Sequence, residues 1–128
     1  YMHITELCFV INQIHRSGFI HRDLKPKNII IANDMTLKLL DFGISMKVDD
    51  DKSSNNSDAG TLCYMSPEYV PEFDKQGNLI PKINEKSDIW ALGLVLSEMF
   101  SLEKPWAELI KYNSFEVISL LYSKINFP

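Results

Sequence analysis

The spacing of apolar residues predicts three helices in this chain. Apolar side chains recur three and four residues apart over residues 4–14, and Gly18 suits the left-handed conformation that often ends a helix. From Asn84 the pattern becomes helical again. Residues 89–96 are apolar around the whole circumference of this helix, so we expect it to be buried on all sides and to form the core. A last helix is predicted for residues 115–124.

Short strands are predicted between the first two helices. Residues 19–20, 28–32 and 37–40 are rich in apolar and β-branched side chains, and Asn33 and Asp34 provide a turn between the last two segments. These two segments therefore predict a small β-hairpin. Because the strands are too few to form a core by themselves, the fold class is expected to be mainly α-helical.

Three further stretches lie between the hairpin and the second helix. Residues 49–58 contain no large apolar side chain, so nothing there offsets the entropy lost on ordering, and we predict a mobile loop. Residues 66–68 predict a short helix, because Pro67 is favourable in a first helical turn. We interpret residues 71–81, which have proline at both ends, as an irregular connection.

The composition is that of an ordinary globular protein with a small negative charge. Hydrophobic residues make up 45% of the chain and the net charge is −4, which gives no electrostatic basis for binding nucleic acid. The longest apolar run, residues 89–96, is far shorter than the roughly 20 residues that a membrane span needs. Cys8 and Cys63 lie far apart in the sequence and lack the spacing of metal ligands, so neither a disulfide framework nor a zinc site is predicted. Because disulfides are typical of oxidising compartments, we expect an intracellular, cytoplasmic location.

The most informative stretch is His-Arg-Asp-Leu-Lys-Pro-Lys-Asn at residues 21–28, followed by Asp-Phe-Gly at residues 41–43. This order resembles the catalytic loop and the magnesium-binding motif of the eukaryotic protein kinases. Lys25, two residues after the aspartate, is typical of the serine/threonine branch of that family. Residues 60–68 are similar to the family's substrate-receiving segment with its Ala-Pro-Glu motif, and residues 88–93 are similar to its central buried helix.

The resemblance implies the large, C-terminal lobe of a two-lobed α+β kinase fold, and a serine/threonine kinase that transfers the γ-phosphoryl group of ATP to protein hydroxyls. The chain begins within a helical pattern and shows no glycine-rich loop, so we expect a partial kinase domain that lacks the small lobe and the last helices and is inactive alone. The alternative is a non-catalytic binding or scaffold module derived from a kinase lobe. The implied parts are a catalytic loop at 21–28, a magnesium motif at 41–43, an activation segment at 41–68 and a central helix at about 85–100.

The implied active site uses ATP and Mg²⁺. Asp23 is expected to accept and orient the substrate hydroxyl, and Lys25 to place a positive charge beside the moving phosphoryl group. Asn28 and Asp41 supply the oxygen ligands that Mg²⁺ prefers. Ile30 is expected to lie under the adenine, so that Lys25, Asn28, Asp41 and Ile30 together bind the nucleotide. For each of these residues taken singly, the alternative is an ordinary turn, cap or surface residue. For Ile30, the alternative is an ordinary core residue of a strand.

Four other positions carry structural roles in the family. His21 and Phe42 resemble two members of the hydrophobic column that assembles in the active state. Asp88 resembles the aspartate that holds the backbone of the catalytic loop, whereas its alternative is an exposed acid at a helix start. Glu68 usually pairs with an arginine that lies beyond the end of this chain, so it is expected to be solvated or unsatisfied.

Arg22, directly before the catalytic aspartate, marks kinases whose activation loop is ordered by phosphorylation. A phosphate in the loop would pair with Arg22 through charge-assisted hydrogen bonds. Ser57 stands at the usual place of the primary site, Ser53 and Ser54 are further candidates, and Thr61 more often bonds to the catalytic residues unmodified. The implied partners are a protein substrate and either an upstream activating kinase or autophosphorylation. The alternative for the serines is that they only keep the loop soluble.

Overall fold

The structure, a computed structural model, describes residues 2–41, 46–47, 63–69, 72–73, 75–77, 79–80 and 83–107. Among these residues there are two α-helices, α1 (Met2–Arg16) and α2 (Glu85–Ser101), and two short 3₁₀ helices, Pro26–Asn28 and Pro67–Tyr69. The strands are β1 (Phe19–Ile20), β2 (Ile29–Ile31), β3 (Leu37–Leu39), β4 (Met46–Lys47), β5 (Glu72–Phe73) and β6 (Leu79–Ile80).

Helix α1 ends as the sequence predicts. The backbone N–H of Ser17 donates to the carbonyl of Gln13 at 3.1 Å, and Gly18 follows with φ of 77°. Glycine has no Cβ and adopts this left-handed conformation without steric cost, so the helix stops here and the chain turns into β1. The apolar face of α1 buries Leu7 and Ile11.

The predicted hairpin is present. Strand β2 pairs antiparallel with β3, with Ile29 opposite Leu39 and Ile31 opposite Leu37. In the turn, Asp34 Oδ1 accepts from both the backbone N–H and the hydroxyl of Thr36, at 3.1 and 2.6 Å. Both hydrogen bonds lower the pKa of the exposed Asp34 carboxyl, and the bond from the Thr36 hydroxyl has the larger effect. Strand β1 pairs separately with β4.

The expectation of an irregular connection over residues 71–81 is wrong. Strand β5 pairs antiparallel with β6, so that Glu72 lies opposite Ile80 and Phe73 opposite Leu79. Between the two strands, Gly77 has φ of 84°, a left-handed conformation that glycine adopts without steric cost. Each strand has only two residues, which is too short for the alternation of apolar and polar positions to be visible in the sequence.

Helix α2 begins where the sequence predicts. The Asn84 side chain accepts from the backbone N–H of Lys86 at 2.9 Å, and the backbone N–H of Asn84 donates to Ser87 Oγ at 3.5 Å. This reciprocal capping satisfies donors that a helix start leaves unpaired. The helix ends at Ser101 and is capped by Leu102, which has φ of 60° and donates its N–H to the carbonyl of Glu98 at 2.8 Å.

Helices α1 and α2 pack together with the catalytic-loop region around one apolar cluster. The prediction that residues 89–96 are buried all round holds only in part: Ala91, Leu92 and Val95 are buried in the core, whereas Ile89 is 53% exposed. A uniformly apolar run cannot show which of its faces meets the core. The buried cluster consists of Leu7, Ile11, Leu24, Cys63, Tyr64, Ala91, Leu92 and Val95.

The loop predicted at residues 49–58 and the helix predicted at residues 115–124 lie outside the described residues. Within the part of the chain that the structure does describe, no helix is both long and apolar enough to cross a membrane.

Candidate active site

The loop at residues 21–28 is anchored to α2 by one buried carboxylate. Asp88 is 1% exposed, and its Oδ2 accepts from the backbone N–H of His21 at 2.8 Å while its Oδ1 accepts from that of Arg22 at 2.9 Å. This is the anchoring contact that the family resemblance implies for Asp88, and the alternative of an exposed acid does not fit the structure. The contact holds Arg22 in a left-handed conformation with φ of 71°, which is costly for a residue with a Cβ.

Asp88 has a third partner that the sequence analysis missed. His15, near the end of α1, places its Nε2 2.8 Å from Asp88 Oδ2. A buried carboxylate is tolerated only when its oxygens receive hydrogen bonds or an ion pair. Helix α1 therefore helps to stabilise the same carboxylate that holds the loop. The residue type alone gives no signal for this contact, because the two residues are far apart in the sequence.

The side chains of Asp23, Lys25 and Asn28 meet within this loop. Asp23 Oδ2 lies 2.7 Å from Lys25 Nζ and accepts from Asn28 Nδ2 at 3.0 Å. Asn28 Nδ2 also donates to the backbone carbonyl of Asp23 at 2.7 Å. These bonds fix the carboxylate of Asp23, which is 7% exposed, in one orientation.

The second oxygen of this carboxylate has no such partner. Asp23 Oδ1 is buried and receives no hydrogen bond within the described structure. An unsatisfied buried carboxylate oxygen costs on the order of 1–3 kcal/mol, so such an atom in a fixed side chain indicates a site for an incoming donor. A hydroxyl group presented to Oδ1 would both satisfy it and lose its proton to it.

The backbone brings Asp41 beside Asn28. The N–H of Leu40 donates to the carbonyl of Asn28 at 2.7 Å, so the exposed Asp41 follows immediately. Asp41 has φ of 63°, a second left-handed non-glycine residue in this region. Both side-chain hydrogen bonds of Asn28 use Nδ2, which leaves its Oδ1 to act as an acceptor. An amide oxygen and a carboxylate are hard ligands, and the donor set fits Mg²⁺.

His21 links the two parts of the site. It is fully buried, with Nε2 3.0 Å from the carbonyl of Leu40 and Nδ1 3.3 Å from the backbone N–H of Asp23. A carbonyl can only accept and an N–H can only donate, so these contacts assign the proton to Nε2. Phe42, which the resemblance pairs with His21, lies outside the described residues.

Tyr69 makes a second contact with the loop region that was not predicted from the sequence. Its hydroxyl donates to the backbone carbonyl of Arg22 at 3.1 Å. Burial raises the pKa of Tyr69 to about 12, although the positive charge of the Arg22 side chain and a hydrogen bond from that side chain oppose the change, so the hydroxyl keeps its proton and remains a donor at neutral pH.

Tyr64 attaches the segment Cys63–Tyr69 to α2. The Tyr64 hydroxyl donates to Glu98 Oε2, and burial, reinforced by this bond, raises the pKa of Tyr64. Burial likewise raises the pKa of the Cys63 thiol. Glu68 Oε2 is buried without a hydrogen-bond partner in the described part of the chain.

Of the remaining predicted site residues, the structure describes Ile30 but not the four regulatory positions. Ile30 lies opposite Lys38 in the hairpin and is 42% exposed in the described structure. The predicted regulatory positions Ser53, Ser54, Ser57 and Thr61 lie outside the described residues.

Comparison with known proteins connects this geometry to a family. The chain is 34% identical over 116 residues to the serine/threonine-protein kinase cds1 of Schizosaccharomyces pombe, an alignment that covers 91% of this chain and 25% of that protein. It is 42% identical over 88 residues to the dual specificity protein kinase Ttk of Danio rerio, covering 67% and 9%, respectively. It is 33% identical over 111 residues to the human mitogen-activated protein kinase kinase kinase 4, covering 84% and 7%.

These relatives are much longer than the chain, which spans a quarter or less of each. The family model described as the protein kinase domain matches residues 2–125, nearly the whole sequence. With the catalytic-loop geometry described above, this match shows that the chain belongs to the protein kinase domain family.

Proposed function

We propose that this protein is a serine/threonine protein kinase that uses Mg²⁺ and ATP, and that the described residues are part of its large, C-terminal lobe. The observation that carries the proposal is the state of the Asp23 carboxylate: Lys25 and Asn28 hold one oxygen, while the other is buried and unpaired within the described structure. A carboxylate of this kind is suited to receive a proton from an acceptor hydroxyl.

The proposed transfer step uses Asp23 and Lys25. The hydroxyl oxygen of a serine or threonine attacks the γ-phosphorus, the bond to the bridging oxygen of ADP breaks, and the hydroxyl proton passes to Asp23 Oδ1. Lys25 Nζ, 2.7 Å from Asp23 Oδ2, places a positive charge where the transferred group gathers negative charge. Positioning and charge stabilisation supply most of the rate enhancement in phosphoryl transfer.

Asn28 and Asp41 are the residues that would hold Mg²⁺, through the amide oxygen and the carboxylate. Bound there, the ion would neutralise charge on the phosphate oxygens of ATP. Nucleotide binding would also involve Lys25, and the exposed Ile30 offers an apolar surface for the adenine ring.

Regulation by phosphorylation also belongs to this proposal. Ser57 would receive a phosphate from an upstream kinase or by autophosphorylation, and Arg22 would bind it. Thr61 would instead stay unmodified and bond to the catalytic residues. The activation segment would then comprise residues 41–68 and the central helix residues 85–100. An intracellular setting, where ATP is available, is part of the same proposal.

A transfer assay tests this function directly. The protein at its natural full length, incubated with Mg²⁺ and γ-labelled ATP, is expected to label peptide libraries with serine or threonine as the acceptor, and EDTA should abolish the labelling because the phosphates lose their metal. The readout is phosphoamino-acid analysis of the peptides. Because one relative is named a dual specificity protein kinase, the assay also includes a peptide library with tyrosine as the acceptor. Labelling of tyrosine alone, or no labelling with any library, would contradict the proposal, and the second result would favour the scaffold alternative.

A further inference from the structure

The carbonyl of Arg22 receives a hydrogen bond from outside its own loop. Arg22 has left-handed backbone geometry, with φ of 71°. Its N–H donates to Asp88 Oδ1 on α2 at 2.9 Å, and its carbonyl accepts from the Tyr69 hydroxyl at 3.1 Å. Side chains from two different elements therefore hold the two polar backbone groups of one strained residue.

The carbonyl of Arg22 and the N–H of Asp23 belong to the same planar peptide group, so fixing one end of the group limits the rotation of the other. At the Asp23 end the contact is long: the N–H donates to His21 Nδ1 at 3.3 Å. The Tyr69 bond, at 3.1 Å, is also long for a hydroxyl donor, but of these two bonds only this one comes from outside the loop, so it ties the peptide group to another element and restrains its tilt. This tilt sets the direction in which the Asp23 side chain leaves the backbone.

The partners of the Asp23 carboxylate cannot replace this restraint. Lys25 and Asn28 belong to the same loop as Asp23, so they would move with the loop if it shifted as a unit. Tyr69 belongs to the segment Cys63–Tyr69, which a hydrogen bond between Tyr64 and Glu98 attaches to α2. Tyr69 also lines a cavity together with Arg22, Asp23 and Met65, and its hydroxyl reaches the Arg22 carbonyl at 3.1 Å.

We propose that Tyr69 is a positioning residue, whose hydroxyl aligns the Asp23 carboxylate and couples it to the segment Cys63–Tyr69. This inference rests on the proposed kinase function and adds a residue to it. A shift of the segment, for example when an acceptor protein binds beside it, is transmitted through the Tyr69 hydroxyl to the peptide group before Asp23. The hydroxyl touches no reacting atom, so its effect is on geometry alone.

The test compares Tyr69→Phe, which removes only the hydroxyl, with Ile11→Val, which removes one methylene group from the buried face of α1. Both variants should lose a comparable amount of thermal stability. We expect Tyr69→Phe to lower kcat for a serine peptide library by about tenfold with the KM for ATP unchanged, because small misplacements of a catalytic group cost rate rather than nucleotide binding. Ile11→Val should keep the wild-type kcat. Hydrogen exchange should also be faster at the Asp23 amide in Tyr69→Phe only.

The outcomes separate this inference from the proposed function on which it rests. The same assay includes Asp23→Asn. If Asp23→Asn is inactive while Tyr69→Phe keeps the wild-type kcat, the positioning role of Tyr69 is wrong and the kinase proposal stands. If Ile11→Val and Tyr69→Phe lower kcat equally at equal loss of stability, Tyr69 has only a structural role. If Asp23→Asn keeps full activity, the proposed chemistry fails and the inference fails with it.

Discussion

Replacement of Asp23 by asparagine is expected to lower the phosphoryl-transfer rate roughly 10²–10⁴-fold, or about 3–5 kcal/mol of activation free energy. The amide can still accept from Asn28 and keeps the size of the side chain, so the loop should keep its shape. It cannot take a proton from a serine hydroxyl at neutral pH. Single-turnover transfer to a peptide library, with the protein at its natural full length, measures this loss.

Asp34→Asn is the matched control for this substitution. Asp34 is an exposed aspartate in the turn of the hairpin, and an asparagine there can still accept the bonds of Thr36. We expect this variant to transfer phosphate at the wild-type rate. A transfer rate for Asp23→Asn within about threefold of wild type would contradict the role assigned to Asp23, because a positioned general base contributes far more than that.

The second large effect is expected from Asp88→Ala. Removal of this carboxylate leaves two backbone N–H groups and the His15 side chain without their acceptor in a buried setting. Each lost partner of this kind costs on the order of 1–3 kcal/mol, so a local destabilisation of about 3 kcal/mol or more is expected. Amide hydrogen exchange at His21 and Arg22 should therefore accelerate by about 10²-fold or more, since each 1.4 kcal/mol is a factor of ten.

Glu85→Ala provides the comparison on the same helix. Glu85 also lies in the first turn of α2, where an acid interacts favourably with the helix dipole by about 0.3–1 kcal/mol. Its replacement should leave exchange at the loop amides nearly unchanged. If both variants accelerated exchange to the same extent, Asp88 would be acting as an ordinary acid of the first helical turn and its anchoring role would be wrong.

The sequence allowed the local part of the candidate site to be predicted. Asp23, Lys25 and Asn28 lie within one short loop, so their order along the chain already requires them to be neighbours. The contact of Asp88 with this loop came only from the family resemblance, because no pattern of spacing pairs residues so far apart. The structure shows this contact directly, at 2.8 and 2.9 Å.

Other features were not predictable because they depend on tertiary contacts or on unusual backbone conformations. The bond from Tyr69 joins two residues far apart in the sequence, and its acceptor, Arg22, is left-handed, a conformation that an arginine does not indicate as a glycine would. The contact between His15 and Asp88 was not predictable either, because the two residues lie on different helices. The exposure of Ile89 depends on which elements cover α2, and an apolar run does not show this.

We propose that Asp23 acts on the acceptor hydroxyl whereas Asp41 acts on the metal-bound nucleotide. The most direct test is a titration of MgATP against wild-type, Asp23→Asn and Asp41→Ala protein at natural full length, measured by calorimetry at low and high Mg²⁺. We expect Asp23→Asn to bind MgATP within about twofold of wild type, and Asp41→Ala to bind at least about tenfold more weakly, with part of the loss recovered at high Mg²⁺ because a metal ligand is missing. Equal affinities for all three proteins, or weaker binding by Asp23→Asn than by Asp41→Ala, would contradict this division of roles.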